Sequence, residues 1–330
     1  MSRSLAVVVA MVACAALAGA APAGAQSGAE IRWDMPTPYA DSNFRTQNVL
    51  EFVDAIAKAT GGRFEITVHD NASLFPMPEI KGAIQSGQVN IGAFLLAAYG
   101  HEDPIYEADA IPFLAAGLDD AWRLYQIQKP YLEKRLEAQR LRLLYSVPGP
   151  GQGFYTRAPI ARLSDLRGVK FRAVTPTTQR LAQLIGADPV AIRAVGVRQA
   201  FASGEVTAML ASPTLGIDTA AWEYARYFYP TNAAHPREAI VVNDRAFRRL
   251  PEDIQAAVLE VAARAELDGW RLARLNAVEI KRTFTEHGLK VVEPSAEMMR
   301  EFRAVGRTMA DDWVKRAGPD GAAIAKALER

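Results

Sequence analysis

Apolar positions in the first third of the chain switch between the repeat of a strand and that of a helix. Val49, Phe52, Val53 and Ile56 recur at helical spacing, whereas Arg63–Val68 alternates as a strand does. The pattern predicts the order β-α-β-α-β. Its elements are strand Ile31–Met35, a helix around 49–56 that ends at Gly61-Gly62, strand Arg63–Val68, helix Pro78–Ser86 and strand Val89–Phe94.

The same order of elements returns further along the chain, between residues 169 and 210. Its elements are strand Val169–Val174, helix Thr177–Ile185, strand Pro189–Ile192, helix Val197–Ser203 and strand Val206–Leu210. Both halves join a helix to a strand through Ser-Gly-x-Val, at Ser86–Val89 and Ser203–Val206. The glycine suits a left-handed helix C-cap and the valine favours a strand. Two α/β lobes are therefore predicted, rather than one large sheet.

A third feature of the pattern is one very long helix. Pro251 suits its first turn, Glu252 and Asp253 suit its positive end, and His287-Gly288 ends it after about Glu286. At a rise of about 1.5 Å per residue this helix is longer than one small lobe requires. We expect it to connect two lobes.

Composition narrows the class of protein. The 330 residues are 50% hydrophobic and 23% charged with a formal net charge of +1, which allows two compact domains. The charge balance leaves no basic surface of the kind that nucleic-acid-binding proteins carry, so we expect no nucleic-acid partner.

The first 25 residues have the pattern of a secretory signal peptide. Arg3 precedes an apolar stretch, Leu5–Leu17, and Ala23-Gly24-Ala25 forms a cleavage signal. Cleavage after Ala25 is predicted, which places the mature chain in the periplasm. Cys14 is the single cysteine and lies in this segment, so the mature chain is expected to have no thiol or disulfide chemistry.

Motifs for catalysis, metal binding or cofactor binding are missing. The four histidines match no metal-ligand spacing, and the sequence has no Walker phosphate loop, no nucleophile elbow and no dinucleotide-binding glycine motif after a strand. Gly149–Gly153 is glycine-rich but contains Pro150, which favours a turn or hinge. We therefore expect no cofactor and no metal, and no motif indicates an enzyme.

One charge interrupts a strand that otherwise reads as buried. Arg172 lies among Val169, Phe171 and Val174, and a buried charge is costly unless an anion satisfies it. A guanidinium can grip a carboxylate with two parallel hydrogen bonds. The residues alone leave the alternatives open: a ligand-binding arginine, an exposed arginine at a sheet edge, or one paired with Asp165 or Asp188.

Several segments, taken in order, resemble the solute-binding proteins of tripartite ATP-independent periplasmic (TRAP) transporters. The segments are Thr60–Ile66 (TGGRFEI), Ser73–Phe75 (SLF), Asp165–Arg172 (DLRGVKFR), Ile185–Val190 (IGADPV) and Val242–Gln255 (VNDRAFRRLPEDIQ). Each is weak alone, but their order and spacing extend over nearly the whole mature sequence.

The resemblance implies a two-lobed α/β periplasmic binding protein fold, type II-like, with a central cleft and a long helix spanning both lobes. We expect residues 26–148 and 239–278 in lobe I, and residues 149–238 and 279–330 in lobe II. Arg172 would hold a ligand carboxylate. The partners would be an organic acid and the membrane subunits of a TRAP transporter, and the protein itself would be a monomer without catalytic activity.

Departures from the family pattern bear on the ligand. Where sialic-acid-binding relatives carry charged or polar side chains, this chain has Gly151, Leu95, Ala98 and Ala211. These losses favour a monocarboxylate with an apolar or aromatic body, with Arg172 as the single cation that holds it. Candidate polar contacts beside Arg172 are Gln152, Thr175, Ser212 and Thr37, and candidate walls are Tyr39, Phe94, Tyr155 and Trp222, each of which is alternatively ordinary core.

Three other functions stay open at this point. The chain could be an exported enzyme that acts on a small carboxylic acid, a sugar-acid-binding member of the same family, or a ligand-sensing subunit of a membrane receptor. Turnover of the ligand would favour an enzyme, and selectivity for sugar acids would favour a sugar-acid-binding member. The absence of transporter genes nearby would favour a sensing subunit.

Overall fold

The computed structural model describes residues 29–329, and the predicted signal peptide lies outside this range. The strands are β1 (Ile31–Pro36), β2 (Phe64–His69), β3 (Ile91–Leu95), β4 (Leu141–Pro148), β5 (Gly153–Thr156), β6 (Lys170–Arg172), β7 (Asp188–Val190), β8 (Ala208–Ala211), β9 (Tyr227–Pro230), β10 (Arg237–Asn243) and β11 (Lys290–Val291). The α-helices are α1 (Phe44–Ala59), α2 (Met77–Ser86), α3 (Leu118–Ala138), α4 (Pro176–Leu184), α5 (Val197–Ser203), α6 (Pro213–Asp218), α7 (Asp244–Phe247), α8 (Glu252–Glu286) and α9 (Ala296–Leu328).

The strands form two groups of sheets, one in each lobe. In the first lobe β1 pairs in parallel with β2, and β10 lies between β3 and β4 in an antiparallel sheet. In the second lobe six strands pair in the order β11-β9-β5-β8-β6-β7. The prediction of two α/β lobes is confirmed.

The two Ser-Gly-x-Val segments adopt the same cap. Gly87 and Gly204 end α2 and α5 in the left-handed conformation, with φ of +80° and +77°, which favours glycine. The prediction that the valines open the strands is wrong. The Val89 and Val206 amides donate to Ala83 and Ala200 oxygens in the preceding helices, so both valines belong to the caps.

The long helix α8 packs into both lobes. Its first part, from Ile254 to Ala273, contributes to the core of the first lobe with α1 and β4. Its last turns, with Ile280 and Phe284, enter a core of the second lobe near α6 and β11. The helix therefore connects the lobes, as the sequence predicts.

Two segments and one further helix also join the lobes. The chain passes between the sheet groups at 149–152 and 231–236, on either side of β5 and β9. The predicted boundary after residue 238 falls inside β10, which pairs with first-lobe strands from Arg237 onward.

Helix α9 was expected in lobe II. It packs against α3 of the first lobe and against α4 of the second lobe, and its non-helical Gly318 marks a kink.

No helix among residues 29–329 is both long enough and apolar enough to span a membrane.

Candidate functional site

A cavity of about 630 Å³ is lined by residues of both lobes and of the segments that join them. On the first-lobe side its wall comes from the turns after β1 and β2 and from the end of β3. On the second-lobe side it comes from β6, the first turn of α4 and the end of β8. Polar side chains at the wall include Tyr39, Arg45, Asn71, Gln152, Arg172 and Arg193.

Arg172 ends β6 and lies on the wall of this cavity. Strand β6 is flanked by β7 and β8, and Arg172 is 5% exposed, so the alternative of an exposed edge arginine does not hold. Its Nε donates to the Ile192 carbonyl oxygen at 2.9 Å. It forms no ion pair with Asp165, Asp188 or any other carboxylate among residues 29–329. The guanidinium is held by the backbone and keeps donors for another acceptor.

Burial lowers the pKa of Arg172 to about 10, and nearby Tyr224 and Tyr39 oppose this shift. The side chain still carries its proton at neutral pH. A buried cation without a carboxylate partner lowers stability, and an anion that enters the cavity offsets that loss with charge-assisted hydrogen bonds. The electrostatics of the wall at Arg172 thus suit a carboxylate ligand.

Two of the predicted hydroxyl contacts line the cavity but also cap helices. The Thr175 hydroxyl accepts a hydrogen bond from the Thr178 amide at the start of α4. The Ser212 hydroxyl does the same for the Leu215 amide at the start of α6. Both oxygens are therefore fixed at the cavity wall by the helix starts. Tyr39 and Gln152 line the cavity as well.

Two predicted first-lobe residues do not line the cavity. Thr37 is fully buried, and its hydroxyl lies 3.5 Å from a carboxylate oxygen of Glu238. Phe94 packs edge-on against Tyr99 in the core, with ring centroids 5.0 Å apart. Neighbouring positions of a strand point to opposite faces, so Leu95 reaches the cavity wall where Phe94 cannot.

Two predicted second-lobe aromatics also lie elsewhere. Tyr155 is buried beneath α6, where its hydroxyl donates to the Ser212 carbonyl oxygen at 3.2 Å. Trp222 lies in the 3₁₀ turn Ala221–Glu223, where its ring stacks on the His287 ring with centroids 4.2 Å apart. Both rings are used in packing.

Arg45 also lines the cavity, although no sequence pattern predicts it. It is the second residue of α1 and is 3% exposed. Its Nη2 donates to the Pro236 carbonyl oxygen at 2.8 Å, and its guanidinium carbon lies 5.1 Å from the centre of the Tyr39 ring. The cavity wall therefore carries Arg45 and Arg193 in addition to Arg172. Position 45 has no local signal, because its placement depends on a segment far along the chain.

The departures noted in the sequence shape the wall. Leu95, Ala98 and Ala211 line the cavity and present no hydrogen-bonding side chain. A Cβ at Gly151 would lie 2.4 Å from Asn232 Oδ1, so this backbone leaves no room there for an arginine. Part of the wall is therefore apolar.

Within the part of the chain that the structure describes, no group of three or more histidine, cysteine, aspartate or glutamate side chains could hold a metal ion.

Comparison with known proteins fits this geometry. The family of bacterial extracellular solute-binding proteins, family 7 (DctP), matches residues 37–316. The chain belongs to this family. Family 7 proteins are periplasmic solute receptors of TRAP transporters, so the alternative of an exported enzyme is not supported.

Two solved structures of bacterial and marine solute-binding proteins are similar to this chain over nearly their whole length. DctP6 of Bordetella pertussis, which binds pyroglutamic acid, is 41% identical with a TM-score of 0.89, over 90% of this chain and 99% of its own. A marine metagenome TRAP solute-binding protein specific for pyroglutamate is 33% identical with a TM-score of 0.88, over 90% of this chain and 98% of its own.

A relative found by sequence is a monocarboxylate 2-oxoacid-binding periplasmic protein of Nostoc sp. It is 26% identical over 299 residues, covering 83% of this chain and 77% of that protein.

Proposed function

We propose that this TRAP solute receptor binds a small cyclic monocarboxylate of the pyroglutamate type, with Arg172 holding the carboxylate. The observation that carries the proposal is a buried guanidinium without a carboxylate partner among the described residues, on the wall of an interlobe cavity. The relatives that are 33% and 41% identical and bind pyroglutamate support the choice of ligand.

The chemistry of the wall matches the needs of such a molecule. Pyroglutamate has one carboxylate, one amide N–H, one carbonyl oxygen and an apolar ring face. Gln152 and Asn71 bring amide groups to the cavity, and Leu95 and Ala98 supply apolar surface. Most of the ligand's polar atoms can thus be paired with few side chains.

A sugar acid fits the same wall less well. Each of its hydroxyl groups needs a hydrogen-bond partner once it is removed from water, and an unpaired group costs roughly 1–3 kcal/mol. Leu95, Ala98 and Ala211 cannot provide such partners. We therefore favour the monocarboxylate over the sugar-acid alternative.

Delivery of the ligand follows from lobe closure. A ligand that contacts both lobes stabilises the closed form, which the membrane subunits of a TRAP transporter would recognise. In this proposal the chain is exported, cleaved after Ala25, and acts as a monomer. Ser212, Thr175 and Tyr39 complete the contacts at the wall.

Titration calorimetry with pyroglutamate tests the role of Arg172. Removing a charge-assisted pair costs about 2 kcal/mol or more, so Arg172→Ala should weaken binding at least about 30-fold. Arg172→Lys should also weaken binding, because a point charge cannot replace the planar fork. Arg157→Ala, at an exposed arginine of the same lobe, is the matched control.

A ligand panel tests the choice of acid. Pyroglutamate should bind more tightly than proline, which lacks the lactam carbonyl, and more tightly than glucuronate. Native mass spectrometry of the protein as purified would identify a co-purified ligand directly. Unchanged affinity in Arg172→Ala, or binding confined to sugar acids, would refute the proposal.

A further inference from the structure

Arg45 occupies a position where the two lobes and the segments that join them meet. Its Nη2 donates to the Pro236 carbonyl oxygen, and the same oxygen accepts the Gly149 amide at 3.0 Å. Pro236 and Gly149 belong to the two separate segments that pass between the lobes. The guanidinium is thus fixed against both connections, although Arg45 itself belongs to α1 of the first lobe.

The neighbouring asparagine links this helix start to the other lobe. Asn43 caps α1 through its Oδ1, which accepts the Arg45 amide. Its Nδ2 donates at 2.8 Å to Asp218, the last residue of α6 in the second lobe. The start of α1 therefore lies in direct contact with the second lobe beside the cavity.

The hydrogen-bonding capacity of Arg45 is only partly used. Among the described residues, Nη2 has the Pro236 oxygen as its partner, and the buried Nε has none. The guanidinium lies over the Tyr39 ring, and its charge and a side-chain hydrogen bond lower the pKa of the Tyr39 hydroxyl against the larger effect of burial. No carboxylate of residues 29–329 lies within ion-pair distance of Arg45. A positioned cation with spare donors therefore lines the cavity from the first lobe, as Arg172 does from the second.

Acidic groups near Arg45 do not neutralise it by direct contact. The charge of Arg45 opposes the rise that burial causes in the pKa of Glu238 on β10, of Asp218 on α6 and of Asp109 in the 3₁₀ helix before α3. Asp109 pairs with Arg237, and Asp218 accepts from Asn43. Glu238 is fully buried and forms no ion pair with Arg45, and one of its oxygens has no hydrogen-bond partner among the described residues.

We propose that Arg45 is a second anion-binding residue, which donates to the bound carboxylate from the first lobe while Arg172 holds it from the second. This inference rests on the proposed function of the cavity. The ligand would then bridge two guanidinium groups on opposite lobes. Because Arg45 is fixed to both connecting segments, this bridge would stabilise the closed arrangement and not merely add affinity.

Arg45→Gln tests the inference with two readouts, calorimetry with pyroglutamate and small-angle scattering with and without it. We expect binding at least 10-fold weaker and a loss of most of the ligand-induced decrease in radius of gyration. Arg32→Gln, at an arginine whose side chain is 71% exposed on the same lobe, is the control and should retain both. Arg45→Lys keeps the charge without the fork, and serves if the glutamine variant does not fold; it should bind at least threefold more weakly.

The outcomes separate this inference from the proposed function. If Arg45→Gln or, where needed, Arg45→Lys binds within twofold of the unmodified protein and closes equally, the inference is wrong while the proposed function stands. If the unmodified protein does not bind pyroglutamate, the proposed function itself fails. A variant that is less heat-stable but binds and closes normally shows that Arg45 has only a structural role, which also overturns the inference.

Discussion

Replacing Glu238 by glutamine should change how the stability of the protein depends on pH. Glu238 is fully buried on β10, and its neighbours Arg45 and Thr37 compensate its charge only in part. Burial raises the pKa of Glu238 from 4.5 to about 7. The nearby tyrosines Tyr39 and Tyr145 do not carry charge in this pH range, since burial raises the pKa of each.

The sign of the effect follows from proton linkage. Between pH 4.5 and 7 the folded protein binds the Glu238 proton more tightly than the unfolded chain does. The free energy of unfolding therefore decreases as pH rises through this window. At about 1.4 kcal/mol per pKa unit, the loss from Glu238 alone reaches on the order of 3 kcal/mol when the carboxyl is fully ionised.

Urea unfolding at pH 5 and pH 8, followed by tryptophan fluorescence, measures the contribution of Glu238 to the pH dependence of the free energy of unfolding. Glu238→Gln resembles the protonated carboxyl and cannot ionise, so its stability relative to the unmodified protein should improve by about 2–3 kcal/mol from pH 5 to pH 8. Other groups that titrate, such as Asp109 and His235, are common to both proteins and largely cancel. Glu205→Gln, at an exposed carboxyl, is the control. The same pH dependence with and without Glu238 would refute this account of the buried carboxyl.

Two further predictions concern packing and the extent of the site. Gly269→Ala in α8 places a Cβ 2.4 Å from a Val147 side-chain carbon. It should lower the thermal midpoint, with a cost in stability of about 1–3 kcal/mol. The control Gly82→Ala in α2 places a Cβ with no atom within 4 Å and should not lower the midpoint. A Gly269→Ala protein as stable as the Gly82→Ala protein would contradict the close approach of α8 and β4. Trp222→Ala should leave the pyroglutamate affinity within about twofold, because the ring stacks on His287 and not on the cavity wall; a larger loss in calorimetry would place Trp222 in the site.

Much of the fold was predictable because it depends on local patterns. The capping glycines and the helical repeat indicated the lobes, and α8 begins and ends within one residue of its predicted limits. Arg172 was recognised because a charge inside an apolar strand stands out without any tertiary information. Only the structure shows that Arg172 is buried and that it pairs with neither Asp165 nor Asp188, because a strand of three residues does not reveal what covers it.

The aromatic walls could not be chosen from the sequence. Phe94 and Leu95 are adjacent in β3, and which one reaches the cavity depends on the face that the strand turns to the core. Tyr155 and Trp222 have the composition of ligand contacts, but α6 and His287 use their surfaces. Burial in a core and exposure to a cavity favour the same residue types.

The order of elements, the long connecting helix and the cation on β6 can be read from local sequence, because each depends on neighbours within a few positions. The place of Arg45 on the same cavity wall depends instead on long-range contacts. Its guanidinium is held by the carbonyl of Pro236, 191 positions away. Such a contact forms only when tertiary packing brings distant segments together, and the local pattern of apolar and polar residues does not predict it.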